Sequence, residues 1–394
     1  MQNVGTPRIY VNDIAWNKAI GVDIYNPRTS GFFSEQQTLK FVDGNPVNIF
    51  EKAFEAKQYN VQYNKVNTTE SNYIAFLGHN FASAKIYPRH RYLKADGTWN
   101  GGNSLDNIVN GNNGGIIFNQ TDHSEFIIPD YDGFSICSIP SGSVDGDHSC
   151  ESVQFNITDD DYLGVGEHTL KLGSIFMGRY YDFPHSPDLN LTMTIENDGI
   201  TTQQTKGGAT LTNARYTGSP KWGDLGAWEL LEKTSGAPDG TSWSRNARLG
   251  ARTGRRSWNL TFSYLSDRNT LPVNALGGSL GDYDSLIDSN NGYHYASDLD
   301  EDGVYEGDWY GQGIFGTGAD EYISVLNGED FFSSVWNKTM GGHLPFIFNP
   351  QGGGSTPNNN PDQFAICRFD MDSLQVKQVA YNTYTISLKI RECW

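Results

Sequence analysis

Apolar and polar side chains alternate with a period of two along much of this chain, the pattern of strands with one dry face and one wet face. Near the C-terminus Tyr384, Ile386, Leu388 and Ile390 alternate with Thr385, Ser387, Lys389 and Arg391. Trp258, Leu260, Phe262 and Tyr264 repeat the pattern against Asn259, Thr261 and Ser263. Leu189, Leu191, Met193 and Ile195 do so again, as do Val153, Phe155 and Ile157. Gly, Asn and Asp fill the gaps between these runs, where turns need positive φ or a side chain that bonds its own backbone. No long stretch has a 3.6-residue period, so the expected fold is mainly β.

One short helix is expected. Asn327 can cap it, Asp330 sits in its first turn, and Phe332, Val335 and Trp336 share a face. Gly341 and Gly342 then end it in the left-handed conformation, and His343 to Phe348 leaves as a strand.

The apolar rhythm fails over residues 202–220, which predicts a boundary. Residues 1–205 would form one β-sandwich and residues 206–394 a second sandwich or barrel-like β domain carrying the helix. A Gly-, Asp-, Ser- and Tyr-rich insertion at about 268–320 would interrupt the second domain, and insertions of that length usually serve function or an interface. Gln351 to Asp362 reads as a mobile low-complexity tip. No internal repeat suggests a solenoid or propeller.

Composition narrows the function. The chain has 394 residues, 37% hydrophobic and 13% aromatic, enough for a large core built on Phe, Tyr and Trp. Its 46 acidic against 28 basic residues give a net charge of −18, which argues against a nucleic-acid binder and against docking on anionic lipid. No run of about 20 apolar residues is present to span a bilayer. Met1 to Trp16 lacks a basic start followed by an apolar run, so no secretion signal is expected. Cys137, Cys150, Cys367 and Cys393 are too few for a disulfide framework, and none forms a CxxC pair. Reduced thiols made in a cytoplasm are expected, with a Cys137–Cys150 bridge as the competing arrangement.

Three patterns point to chemistry. Asp298, Asp300 and Asp302 precede Gly303, with Glu306 following, and alternate carboxylates before a glycine are how a loop wraps Ca2+. Trp309 stands where an EF-hand needs its bidentate Glu, and a solvated acidic turn is the plainer reading. Arg245, Arg248, Arg252, Arg255 and Arg256 cluster in an otherwise acidic chain. They suggest a seam against an acidic neighbour, such as another copy of this protein, or else a set of weak surface pairs. Trp99, Tyr293, Tyr295 and Tyr310 sit among Gly, Asn and Asp and could stack on sugar rings, although such residues more often anchor loops. No nucleophile elbow, zinc-protease motif or phosphate loop is present, and the eight His are scattered, so no catalytic residue is assigned, no cofactor is required and no enzyme is expected.

Four segments resemble a known family. They are RRSWNLTFSYLSD (Arg255 to Asp267), EDFFSSVWNKTMGGHLPFIFNP (Glu329 to Pro350), FAICRFD (Phe364 to Asp370) and YTISLKIREC (Tyr384 to Cys393). Their order and aromatic pattern resemble the distal-tail and tail-tip (baseplate) proteins of long-tailed bacteriophages. IAFLGHNFASAKI (Ile74 to Ile86) and LKLGSIFMGRYYDFPHSPDL (Leu170 to Leu189) are similar to a jelly-roll-like β-sandwich found beside that module in phage virion proteins. In typical distal-tail proteins the ring-forming β domain is N-terminal, whereas the matching segments here are C-terminal. The resemblance implies a structural virion subunit, made in the host cytoplasm, that closes into a homo-oligomeric ring. It would contact other tail proteins and lead to host-recognition parts. A receptor-recognition tail protein that binds a host surface glycan is the alternative, with a polysaccharide depolymerase behind it.

Overall fold

The computed structural model describes residues 5–21, 39–42, 44, 50–53, 58–64, 72–79, 85–93, 106–107, 116–118, 121–122, 127–128, 133–138, 149–158, 169–196, 200–214, 231–233, 243–248, 254–271, 330–354, 356–359, 363–381 and 383–393. The architecture is mainly β, with few helices. The strands used below are β1 (Arg8–Tyr10), β2 (Tyr73–His79), β3 (Gly133–Ser138), β4 (Ser174–Gly178), β5 (Tyr180–Asp182), β6 (Thr192–Glu196) and β7 (Ile200–Gln204). They continue with β8 (Thr210–Ala214), β9 (Arg255–Leu265), β10 (Phe346–Asn349), β11 (Ala365–Phe369), β12 (Val376–Ala380) and β13 (Thr383–Glu392).

An eight-stranded antiparallel sheet runs β5-β1-β10-β11-β13-β9-β6, with β12 paired to the start of β13. A four-stranded sheet runs β4-β2-β3 and ends on Ile116–Phe118. Gln58–Asn64, Ser149–Thr158 and Lys85–Leu93 lie side by side in a third sheet, so the strand expected around Val153, Phe155 and Ile157 is present. Strands from both sides of residue 205 share the large sheet. β1 lies between β5 and β10, with Ile9 opposite both Tyr181 and Phe348. Backbone hydrogen bonds therefore join the two halves of the chain across the boundary expected near 202–220. That stretch instead contains a hairpin, β7 paired to β8.

The long ladder between β9 and β13 follows the expected alternation. Trp258 is opposite Ile390, Leu260 opposite Leu388 and Phe262 opposite Ile386, and all six are buried. Two expectations fail, each for a physical reason. Tyr264 belongs to the dry series by count, yet it is 83% exposed. The register shifts between Phe262 and Leu265, so Leu265 takes the buried place and Tyr264 swings outward. Met193 and Ile195 also fail to reach the core, because among the described residues β6 is the last strand of its sheet, and Leu189 falls in the turn before that strand.

Aromatic rings join the two sheets across one core. Tyr10 meets Tyr73 with ring centroids 5.0 Å apart, and Phe134 meets Phe364 at 5.4 Å. Within the large sheet's half of the core, Phe183 stacks on Phe262 at 4.1 Å, and Trp258 meets Phe348 edge-on at 5.2 Å. Such offset and edge contacts add to the free energy of area burial.

The expected helix is a short wide turn. The Ser333 N–H donates to Asp330 Oδ1 at 2.9 Å, so Asp330 performs the capping role, and Asn327 lies outside the described residues. Asn337 N–H reaches five residues back to Phe332 O at 2.8 Å, the bond of a π-helical turn. Gly341 and Gly342 follow at φ 66° and 93°, as expected of a helix end. Burial raises the Asp330 carboxyl above the usual range, against the hydrogen bonds from Ser333. The helix Asp13–Ala19, capped by Asn12, docks on this turn through Asp13, whose Oδ1 lies 3.1 Å from Lys338 Nζ with both side chains buried. Gly178 of β4 passes so close to Val11 and Asp13 that a Cβ has no room there.

The expected mobile tip at Gln351 to Asp362 is tied down where it is described. Gly353 N–H donates to Thr6 O at 2.9 Å, and Asn358 N–H donates to Gln351 O at 2.8 Å. Asn349 Nδ2 donates to Asn358 O at 2.9 Å. Asn and Gln side chains supply the backbone bonds that a loop of this composition otherwise leaves to water.

The most consequential polar contact is buried. Arg256 Nε donates to Glu392 Oε1 at 2.6 Å, and its backbone N–H donates to Oε2 at 2.6 Å. Nη2 of the same guanidinium donates to Phe364 O at 2.9 Å, and the group lies 5.0 Å from the Trp258 ring centre. Removing one partner strands a charge in the core. Glu392→Gln should lower unfolding free energy by about 3 to 5 kcal/mol in urea denaturation, and Arg256→Met combined with Glu392→Leu should cost less than either single change. Equal stability of Glu392→Gln and the parent would show that this pair does not hold the sheet.

Candidate functional site

Several of the described polar groups fasten strands to one another. Ser135 Oγ lies 2.9 Å from His79 Nε2, the spacing of a nucleophile and its base. Both residues are fully buried, and burial pushes the His79 imidazole down to about 3. The ring is neutral at physiological pH and out of reach of a substrate, so the pair pins β2 to β3. Cys367 and Cys393 are not in disulfides. Burial pushes the Cys393 thiol up to about 11, with Arg368 acting against it, so it is a poor nucleophile near neutrality. Arg8 forms a two-pronged pair with Asp182 at 2.5 and 2.7 Å and stacks 3.9 Å over the Tyr180 ring, fastening β1 to β5.

The structure divides the arginine cluster. Arg256 is nearly buried and committed to Glu392, so it is a core residue and not part of an exposed seam. Arg255 is half-buried on the same strand. Arg245 and Arg248 lie on the strand Trp243–Arg248, whose side chains are outside the described residues, and Arg252 is outside them altogether. Asp298, Asp300, Asp302 and Glu306, and the sugar-stacking candidates Trp99, Tyr293, Tyr295 and Tyr310, also lie outside the described residues. Cys137 and Cys150 sit on strands of different sheets, with side chains outside the description. No described helix is long and apolar enough to cross a membrane.

What the described surface offers is exposed β structure at one end of the large sheet. Tyr264 is held at φ 63°, a left-handed conformation that costs a non-glycine residue about 1 to 2 kcal/mol. Asp188 clamps the bulge, accepting from Ser263 Oγ at 2.7 Å and from Ser263 N–H at 3.4 Å. Nearby, β6 forms the edge of the sheet. Arg391 reaches across β9 to Glu196 at 2.6 Å and holds β6 in place. Its Met193 and Ile195 lie opposite Trp258 and Arg256, on the core face, and each is 50% exposed. Beyond β6, the β7–β8 hairpin is exposed at every residue from 201 to 213. Sequence reasoning took this hairpin for a boundary. The usable signal was a Thr-rich run on each side of Lys206-Gly207-Gly208, which is a turn flanked by strand formers. Nothing in the alternation marked Tyr264, because a bulge follows from register and not from residue type.

The chain matches no protein-family model, no curated protein and no solved structure in the three comparisons made.

His79 generates a pH prediction. Its folded-state value, about 3, lies below the ordinary 6.5, so between these limits the unfolded chain binds a proton that the folded chain does not. Stability should therefore fall as pH drops through this window, by up to about 1.4 kcal/mol per unit from this residue alone. Urea midpoints measured against pH should fall less steeply for His79→Gln than for the parent. Parallel slopes would mean that the native ring takes up the proton.

Proposed function

We propose that this protein is a structural, non-catalytic subunit of a bacteriophage virion, of the distal-tail or baseplate type, which closes into a ring and links the tail to host-recognition parts. One observation supports this reading most. The four segments that resemble distal-tail proteins form four neighbouring strands of one sheet, β10-β11-β13-β9, with the π-helical turn leading into β10. A resemblance scattered along the chain thus becomes one contiguous set of strands. The jelly-roll-like segments supply β2, β4 and β5, of which β5 joins the same sheet through β1. Rings of identical subunits need a heterologous interface with cyclic closure, and sheet edges suit that need. The native mass of the purified protein tests the reading. A single closed species at a whole multiple of 43.7 kDa, larger than a trimer, is expected by mass photometry. A trimer would favour a receptor-binding spike, and a strict monomer at all concentrations would count against the ring.

A second reading, glycan recognition by a tail protein, draws on Tyr264. A tyrosine held outward in a strained conformation by a clamped bulge is a preformed stacking surface. Tyr264→Gly should abolish any glycan-array signal while raising stability by about 1 kcal/mol, since glycine relieves the left-handed strain. Absence of a signal from the parent protein would end this reading.

A further inference from the structure

We infer that the β7–β8 hairpin of one subunit docks on the open β6 edge of the next copy, with Leu211 of the arm covering Met193 and Ile195. This deepens the ring reading and rests on it.

Two unfinished β surfaces carry the inference. The first is β6. Among the described residues it pairs with β9 alone, in continuous register, so its other side presents a row of backbone donors and acceptors. Soluble proteins normally blunt such an edge with Lys, Pro or a bulge. Thr192 to Glu196 carries none of these, and its one charge, Glu196, is taken by Arg391 within the chain. The core face meanwhile runs out to this edge, leaving Met193 and Ile195 half-exposed beside buried Trp258.

The second surface is the hairpin. A two-stranded ribbon alone in water is marginally stable at best, and this one is exposed along its length. Its five ladder pairs, from Ile200↔Ala214 to Gln204↔Thr210, and a turn closed by Thr205 and Gly208 set its shape without a core beneath it. Leu211 is 59% exposed, an apolar side chain flanked by Thr210 and Thr212. Support must come from another body.

Charge selects a second copy as that body. Residues 200–214 hold Lys206 and no acid, in a chain of net charge −18. The arm, with its one cation at the tip, can therefore approach an acidic copy without repulsion. Geometry selects the heterologous pairing. Joining β6 to β6 across a two-fold axis would stop at a dimer and leave each arm bare. Joining arm to edge covers both surfaces in every copy and continues around a closed ring.

The test uses the full chain. Ile195→Lys and Leu211→Lys alter residues at or beyond the sheet edge, so the far-UV circular dichroism spectrum should match the parent, while the thermal midpoint loses only what assembly contributed. Mass photometry should show each falling from the closed oligomer to one chain of 43.7 kDa. Ile195→Cys and Leu211→Cys, made separately with tags of different size and mixed under oxidation, should give the mixed disulfide. Neither alone should cross-link above the parent's background. Oligomers of parental size from both Lys variants would overturn the arm contact while leaving the ring reading intact. So would a disulfide formed by Ile195→Cys alone, which would report edge-to-edge pairing. A parent that stays single-chain would overturn both. A trimer giving the mixed disulfide would keep the contact and overturn the ring.

Discussion

The contact on which the large sheet depends is the buried pair between Arg256 and Glu392. Glu392 has no solvent at its side chain, and a carboxylate without water must be neutralised by its surroundings. Arg256 meets that demand with its side chain and its backbone N–H, and its Nη2 donates to Phe364 O just before β11. One guanidinium thus ties the start of β9, the end of β13 and the entry to β11 into one geometry. A slip of β9 by one residue would turn Arg256 to the other face and strand Glu392, so the pair also enforces register. Hydrophobic burial supplies the driving force for this core, while the ion pair fixes how three of its segments meet.

Around that fixed point, aromatic rings make many of the core's long-range contacts. Phe183 on Phe262, Trp258 on Phe348 and Phe134 on Phe364 connect segments far apart in sequence. The N-terminal strand β1 is held in the same way, by Tyr10 against Tyr73 and by Arg8 against Asp182. This is why the chain's two halves cannot be pictured as beads on a string: β1 and β5 complete a sheet whose centre is C-terminal. Such long-range pairing carries a large loop-closure cost in folding, offset only once the aromatic core is formed.

The same sheet ends abruptly. At β6 the apolar face continues past the last covered strand, the charged residue is spent internally, and the chain departs as an uncovered ribbon. An isolated subunit gains nothing from this arrangement. A repeating assembly does, because each copy brings both the edge and the ribbon, and this joins the chemistry of the surface to the proposed structural role. The histidine–serine pair and the Cys367 thiol, by contrast, are buried.

Local pattern was sufficient for some of this. The alternation from Tyr384 to Arg391 and from Trp258 to Phe262 depends on neighbours two residues apart, and the glycine pair at 341–342 depends on backbone sterics alone, so both were legible in the residues themselves. The mainly β character follows from the same periodicity. What only the tertiary structure decided involves partners distant in sequence. A bulge that turns Tyr264 outward arises from the mismatch of β9 with β13, and Asp188 clamps it from 75 positions away. Met193 and Ile195 have the same residue types as core positions and differ only in standing on the last strand, which no local pattern encodes. Arg256 looked like one cation among five until Glu392, 136 positions on, was folded beneath it. The sequence by itself determined which faces are dry, because period and side-chain chemistry are local; strand order decided which dry faces are covered, because coverage is a property of the whole sheet.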